Sequence, residues 1–254
     1  MFNELFIRPI FNLLIFLYNT VPGEDLGIAI ILLTIIIKLI LFPLSQKSIR
    51  SQKALQQLQP KIDALKKKYG DQRERMAQEM MNLYKQQKVN PLSSCLPLLI
   101  QLPFLFAVFR VFGQSLTEDP ATFLYSFVAH PGTLNTTFLG FMDLTVAAPV
   151  LGIIAGAAQY WQTKQLMHQR PEVKAKESKD EDMMAMVNKQ MMYMLPIMTV
   201  VLGFTFPGGL MLYWFVTTLL TIVQQKYIFS KDDDNNKKKN TPPETQNQHA
   251  TPAN

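Results

Sequence analysis

Residues 26–44 read LGIAIILLTIIIKLILFPL, nineteen residues that are apolar almost throughout yet carry one lysine, Lys38, well inside the run. A helix of that length rises about 28 Å, the thickness of a bilayer's hydrocarbon core, so the stretch is expected to be a transmembrane helix. A lysine at that depth costs about 2.5–3.5 kcal/mol on insertion scales, which makes it a candidate for lining a wet, functional cavity inside the membrane. A second reading stands beside the first. Lys38 lies six residues from Leu44, about 9 Å along the axis, and its four-carbon stem can lift the ammonium toward the headgroups with no partner at all.

The whole chain has a membrane composition. Of 254 residues 48% are hydrophobic, and 17 Phe and 14 Met gather in long blocks, which describes an all-α, polytopic protein with its core in lipid. A net charge of +6 would point a soluble protein toward nucleic acid, but here the distribution of charge matters more than its total. The single Cys95 excludes an intrachain disulfide, and His130, His168 and His249 are too scattered for a metal site, so neither metal nor cofactor is expected. No triad spacing or glycine-rich phosphate loop is visible. An enzyme or a nucleotide-driven pump is therefore not expected from this chain alone.

On the N-terminal side, residues 1–22 are expected to form an uncleaved interfacial helix. Ile7, Ile10, Phe11, Leu14 and Leu17 recur at helical spacing, and the apolar run is too short to span. A signal peptide is the alternative, but no small-x-small cleavage site precedes Pro22. On the C-terminal side, residues 46–89 form a basic excursion with eleven Lys or Arg against four acids. Leu55, Leu58, Ile62, Leu65 and Tyr69, then Met76, Met80, Leu83 and Gln87, step by threes and fours, which predicts two helices folded back at Tyr69-Gly70-Asp71. Lys47, Arg50, Lys53, Lys61, Lys66, Lys67, Lys68, Arg73 and Arg75 make this hairpin a candidate recruitment surface for anionic lipid, ribosomal RNA or a protein partner. Taken singly, each lysine reads as part of a solvated face.

Four further spans are expected, over about 96–112, 146–161, 191–206 and 210–229. The first carries Gln101, which either bonds a neighbouring helix or lines the same polar space as Lys38. The second has Ala148, Gly152 and Gly156 at intervals of four, a stripe for close helix packing. The last two are separated only by Pro207-Gly208-Gly209, read as a tight hairpin turn. In the final span Trp214, Thr217, Thr218, Thr221, Gln224 and Gln225 share one face; it is either a structural stripe of threonines bonding their own helix or the wall of a hydrated cavity. Residues 230–254 lack apolar side chains and are expected to be a disordered cytoplasmic tail.

Charge sets the expected topology. Of the 25 Lys and Arg, 22 fall in the hairpin, in the 164–190 loop or from Lys226 onward, while residues 117–145 hold none. The positive-inside rule places the first three in the cytoplasm and puts the N-terminus and the 117–145 loop of this multi-pass chain outside.

At this point four segments carry a resemblance: Ile37 to Leu44 (IKLILFPL), Leu55 to Ile62 (LQQLQPKI), Asn90 to Phe104 (NPLSSCLPLLIQLPF) and Phe206 to Trp214 (FPGGLMLYW). In their order and spacing the chain resembles the YidC-type membrane protein insertase family, in its minimal five-span form without a large outer domain. The resemblance implies a nucleotide-independent insertase and folding chaperone, with a hydrophilic groove whose basic residue attracts the polar outer segment of an incoming helix. It implies nascent membrane proteins as substrates, the ribosome and a Sec translocon as partners, and no small-molecule substrate. Carried over by position, Lys38 is the groove charge and Gln101 a motif residue near it, with Trp214, Thr217, Thr218, Thr221 and Gln224 as lining. Bacterial members usually have arginine at the position of Lys38 and glycine at that of Ser94. Lysine keeps the positive charge but lacks the planar, five-donor guanidinium. Two other readings remain open, a small anion transporter using the same polar residues and a membrane anchor whose hairpin recruits a partner.

Overall fold

The protein is described here by a computed structural model covering residues 2–69, 72–90, 96–111, 123–167 and 192–240, with side chains for all of these except 73, 96–98, 100, 167 and 233–240. It is mostly helical. A π-helical turn (Asn3–Ile7) runs into α1 (Arg8–Thr20), and α2 (Leu26–Ile40), α3 (Phe42–Gln57), α4 (Gln59–Tyr69), α5 (Arg73–Gln86) and α6 (Leu96–Arg110) follow. After a two-stranded ribbon, β1 (Thr137–Phe138) and β2 (Met142–Asp143), come α7 (Pro149–Met167), α8 (Met192–Gly203) and α9 (Gly208–Asn240). Helix α9 packs most heavily against α7 and α2.

The stretch 26–44 is not one straight helix. It breaks at Leu41, and α2 and α3 meet at a bend of 69°. Pro43 is the cause: it has no N–H to offer the carbonyl of Leu39, and its ring collides with that carbonyl. Leu41 instead closes α2 with its N–H on Ile37 O at 3.0 Å. Among the described residues no single helix is long and apolar enough to cross a membrane; the bent pair α2 and α3 passes that test together, and residues 101–110 and 192–203 form shorter apolar helices. Leu39, Ile40, Leu99, Phe106, Phe109, Ile153, Ile197, Val201 and Val223 are nonetheless exposed across α2, α6, α7, α8 and α9. An apolar belt spread over five helices is far more than a soluble monomer shows, and lipid is its ordinary solvent.

Several boundaries differ from the sequence reading. Helix α7 begins at Pro149 and runs to Met167, past the expected end at 161. Helix α9 continues to Asn240, so residues 230–240, expected to be disordered, extend the last helix. No Gly or Pro lies between Gly209 and Pro242, and Asp234 stands one turn before Lys238, so nothing in that stretch breaks a helix. Residues 241–254 lie outside the described ones, as do 168–191. The basic excursion forms three helices rather than two, because Pro60 follows a break at Leu58. Gln72 N–H meets Tyr69 O at 2.8 Å across the expected fold-back, whose Gly70 and Asp71 lie outside the described residues, and Leu65 and Leu83 line one cleft between α4 and α5.

The glycines at 208 and 209 are not a turn but the first residues of α9. The chain reverses at Phe204 to Phe206, Pro207 bridges to Ala147, and the free N–H groups of Gly208 and Gly209 donate to Val146 O (2.7 Å) and Leu144 O (2.9 Å). Those carbonyls satisfy donors that a helix start leaves open. A Cβ on Gly208 would come 3.2 Å from that of Ala148, so the small residue serves close approach.

The apolar face of the N-terminal helix is the expected one, but protein covers it. Ile7, Ile10, Phe11, Leu14 and Tyr18 are buried, and α1 packs on α2. Buried Asn12 ties this helix to the segment that precedes the ribbon: its Nδ2 donates to Phe123 O at 2.8 Å and its Oδ1 accepts from Tyr125 N at 2.7 Å. Tyr18 Oη accepts from Asn135 N at 2.7 Å. Replacing Asn12 with leucine orphans the part-buried N–H of Tyr125, worth about 1–3 kcal/mol, and leaves Phe123 O only its bond from Arg8 Nε at 3.3 Å. Asn12→Leu is therefore expected to free the segment 123–130, read as much faster amide exchange there with α7 and α9 unchanged; unaltered exchange would show that the pin carries no load.

Candidate functional site

Three helices bring polar groups to one stripe of α9. Tyr213, Thr217 and Thr221 stand four residues apart, so they stack along one face about 6 Å from turn to turn. Lys38 reaches this stripe from α2, its Nζ donating to Thr221 Oγ1 at 2.8 Å. Thr221 in turn donates to Thr217 O at 2.7 Å, so its oxygen both gives and receives. Gln101 reaches the stripe from α6 and donates from Nε2 to Tyr213 Oη. The partners of Lys38 and Gln101 thus share one face of α9 and stand two turns apart on it, about 12 Å.

The bend at Leu41 matters for the lysine. Lys38 lies in the last turn of α2, where unpaired carbonyls give a helix its negative end. An uninterrupted helix through Leu44 would offer no such end at that depth. The ammonium has a protein partner there, Thr221 of α9.

Other predicted residues fall to the side. Thr218 is buried and donates to Trp214 O at 2.9 Å, the self-bonded threonine of the structural reading. Trp214 is half-buried beside it. Gln224 and Gln225 are buried toward the far end of the face, with Gln224 Nε2 and Gln225 Oε1 lacking a hydrogen-bond partner among the described residues. Buried amides without a protein partner are where ordered water sits. Pro207, Gly208 and Gly209 build the start of α9 as described above. Gln159 pairs with Thr199 of α8 and is a helix-packing residue.

The hairpin cations divide into two groups. Lys47, Lys61, Lys67, Lys68 and Arg75 are exposed, and Lys66 lies 3.5 Å from Asp63. Arg73 lies in α5. Lys53 departs from the expected free cation: it is buried, donates to Phe229 O at 3.3 Å and sits 5.3 Å over the Phe229 ring. Arg50 pairs with Asp232 at 3.5 Å, and Ile49 packs with Ile228 and Phe229. These three residues of α3 dock on the far end of α9, because the bend at Leu41 points α3 across it.

Sequence reasoning missed two groups. Tyr213 lay one turn before Thr217 on the quoted face and was readable by its spacing alone. The docking of α3 on α9 joins residues nearly 180 positions apart, and no local pattern announces it.

The family described as 60Kd inner membrane protein matches residues 16–236. A membrane protein insertase YidC of Fusobacterium nucleatum subsp. nucleatum is 36% identical over 211 residues, covering 81% of this chain and 89% of that one. One from Magnetococcus marinus is 37% identical over 211 residues, 82% of this chain but 33% of the relative. The chain spans about a third of the length of several such relatives. Among solved structures, an active YidC insertase crystallised with its first transmembrane domain resolved aligns with a TM-score of 0.58 and 26% identity, over 89% of this chain and 46% of that one.

Proposed function

The chain belongs to the 60Kd inner membrane protein family, that of the YidC insertases, and from that premise we propose that it inserts and helps fold nascent membrane proteins by way of the polar stripe between α2, α6 and α9. The observation that carries the proposal is the Lys38 ammonium, held at 2.8 Å on Thr221 beside the carbonyl end of α2 within otherwise apolar helices. A fixed cation there attracts the acidic or polar outer segment of an incoming helix. The water expected at Gln224 and Gln225 shortens the low-dielectric path that segment must cross. Burial of the apolar helix in lipid supplies the drive, at about 25 cal/mol per Å². The exposed lysines of α4 and the arginines of α5 form the cytoplasmic recruitment surface, with the ribosome, a Sec translocon and anionic lipid as partners.

The test is reconstitution of the purified chain in liposomes with a single-span substrate and no nucleotide. Protease-protected substrate above the empty-liposome level is expected. Uptake of a labelled anion with no protected substrate would assign the stripe to transport instead.

The five apolar runs of the sequence support five spans, and its charge distribution supports an outer N-terminus and a cytoplasmic C-terminus. With Cys95 replaced by serine, an impermeant maleimide is expected to label Ser126→Cys and Gln72→Cys from opposite sides of the membrane. Labelling from one side would remove this topology. Deleting Leu55 to Lys85 spares Ile49, Arg50 and Lys53, so the core is expected to stay folded while insertion falls by impaired recruitment. Loss of the folded core would make the hairpin structural.

A further inference from the structure

The segment 123–147 places four large apolar side chains in the open: Phe127 is 78% exposed, Phe141 72%, Leu139 58% and Val146 56%. Asn19 Nδ2, donating to Ala129 O at 2.8 Å, ties the segment of Phe127 to the end of α1, and three contacts fix the height of Leu139, Phe141 and Val146. Asp25, which caps α2 by accepting from Ile28 N at 3.0 Å, also accepts from Leu139 N at 2.6 Å. Leu144 O and Val146 O hold the first N–H groups of α9, and α7 begins at Pro149. The ribbon therefore sits where α2, α7 and α9 all begin, and Gly27 of the first turn of α2 leaves room for the Phe138 ring.

We propose that this ribbon and the segment before it form a membrane-surface anchor, with Phe127, Leu139 and Phe141 seated in the headgroup layer of the bilayer that surrounds the protein. Lipid is the occupant because the exposed stripe of α7, Val150, Ile153 and Ile154, leads directly up to Val146 and the ribbon. Exposed apolar side chains thus continue along the chain from α7 through Val146 into the ribbon. Residues 117–145 contain no Lys or Arg, so anionic headgroups are not the attraction; aromatic rings favour the interface without them. The backbone supports the reading. Leu139 has φ +50° and Gly140 +75°, and a leucine in the left-handed region is strained, yet the Asp25 bond holds it there with its side chain pointing away from the core. The inference rests on the membrane placement of the family and not on insertase activity.

The test uses the full chain in liposomes, with Trp161→Phe and Trp214→Phe as background and one tryptophan introduced at a time. Phe141→Trp and Phe127→Trp are each expected to be quenched by phospholipid brominated near the headgroup at least about twofold more than Thr133→Trp in the same loop, since an interfacial ring meets the acyl boundary and a solvated one does not. Acrylamide in the water should show the reverse order. Equal quenching at all three sites would overturn the proposal. So would quenching at Phe141→Trp that changes with protein-to-lipid ratio, which would assign the tip to a second copy of the chain. Reading two independent positions keeps the test decisive if one variant disturbs the ribbon.

Discussion

Replacing Lys38 with glutamate is expected to abolish insertion of a substrate with an acidic outer tail, while Lys38→Ala loses most of it and Lys38→Arg retains it. Two unit charges about 4 Å apart interact by about 4 kcal/mol at an effective dielectric of 20, so reversing the sign turns an attraction into a repulsion worth well over tenfold in rate. Stability is expected to run the other way for alanine. Thr221 still donates to Thr217 O when the ammonium is gone, so Lys38→Ala leaves no orphaned hydroxyl proton and removes a costly intramembrane charge. The folded protein should be as stable as wild type or more so, by up to about 2–3 kcal/mol. The readouts are liposome insertion of two substrates differing only in an acidic or neutral outer tail, with thermal unfolding in parallel. Equal insertion of both substrates by wild type and Lys38→Ala would mean that the charge recruits nothing.

The second large effect is expected at the crossing of α7 and α8. A Cβ on Gly152 would stand 2.6 Å from Gly203 Cα, and one on Gly203 would stand 2.6 Å from Gly152 Cα. Backbone meets backbone there, and no side chain can swing aside. Gly156 continues the contact against Val200 and Pro196 O. Gly152→Leu must push the helices apart, at about 3 kcal/mol or more, and it also loses the dispersion contacts that hold helices together in lipid. A steep fall in detergent thermal stability is expected, with a smaller fall for Gly152→Ala. Wild-type stability of Gly152→Leu would show that α7 and α8 do not meet as described.

Both effects were foreshadowed in the sequence, but to different depths. The stripe Ala148, Gly152 and Gly156 named its own role, because only close packing uses small residues at intervals of four. Lys38 announced itself as an anomaly while leaving open what it touched. Its partner, Thr221, was one of six residues on a face, and choosing among them needs the direction from which α2 approaches. The bend at Leu41 was hidden for a different reason: Pro43 was visible, but proline is common in membrane helices and does not by itself say that a span stops. Local patterns also misassigned Lys53, which sits among exposed lysines in sequence and beneath Phe229 in space. The polar letters of 230–240 suggested disorder, although nothing there interrupts a helix already started at Gly208. The N-terminal helix showed its apolar face correctly, and only the packed chain reveals that protein covers it.

Contact between an incoming segment and the polar stripe is the centre of this account, and site-specific photo-crosslinking tests it most directly. A photoreactive residue is placed at Thr217, and separately at Ile197 and Val201 on the exposed side of α8, and each protein is presented with a ribosome-bound nascent chain carrying one membrane span. The expected result is strong crosslinking of the nascent chain from Thr217, weak crosslinking from the two α8 positions, and loss of the Thr217 adduct in Lys38→Glu for a span with an acidic outer tail. Crosslinks that are equal at all three positions, or absent at Thr217, would contradict a site between α2, α6 and α9.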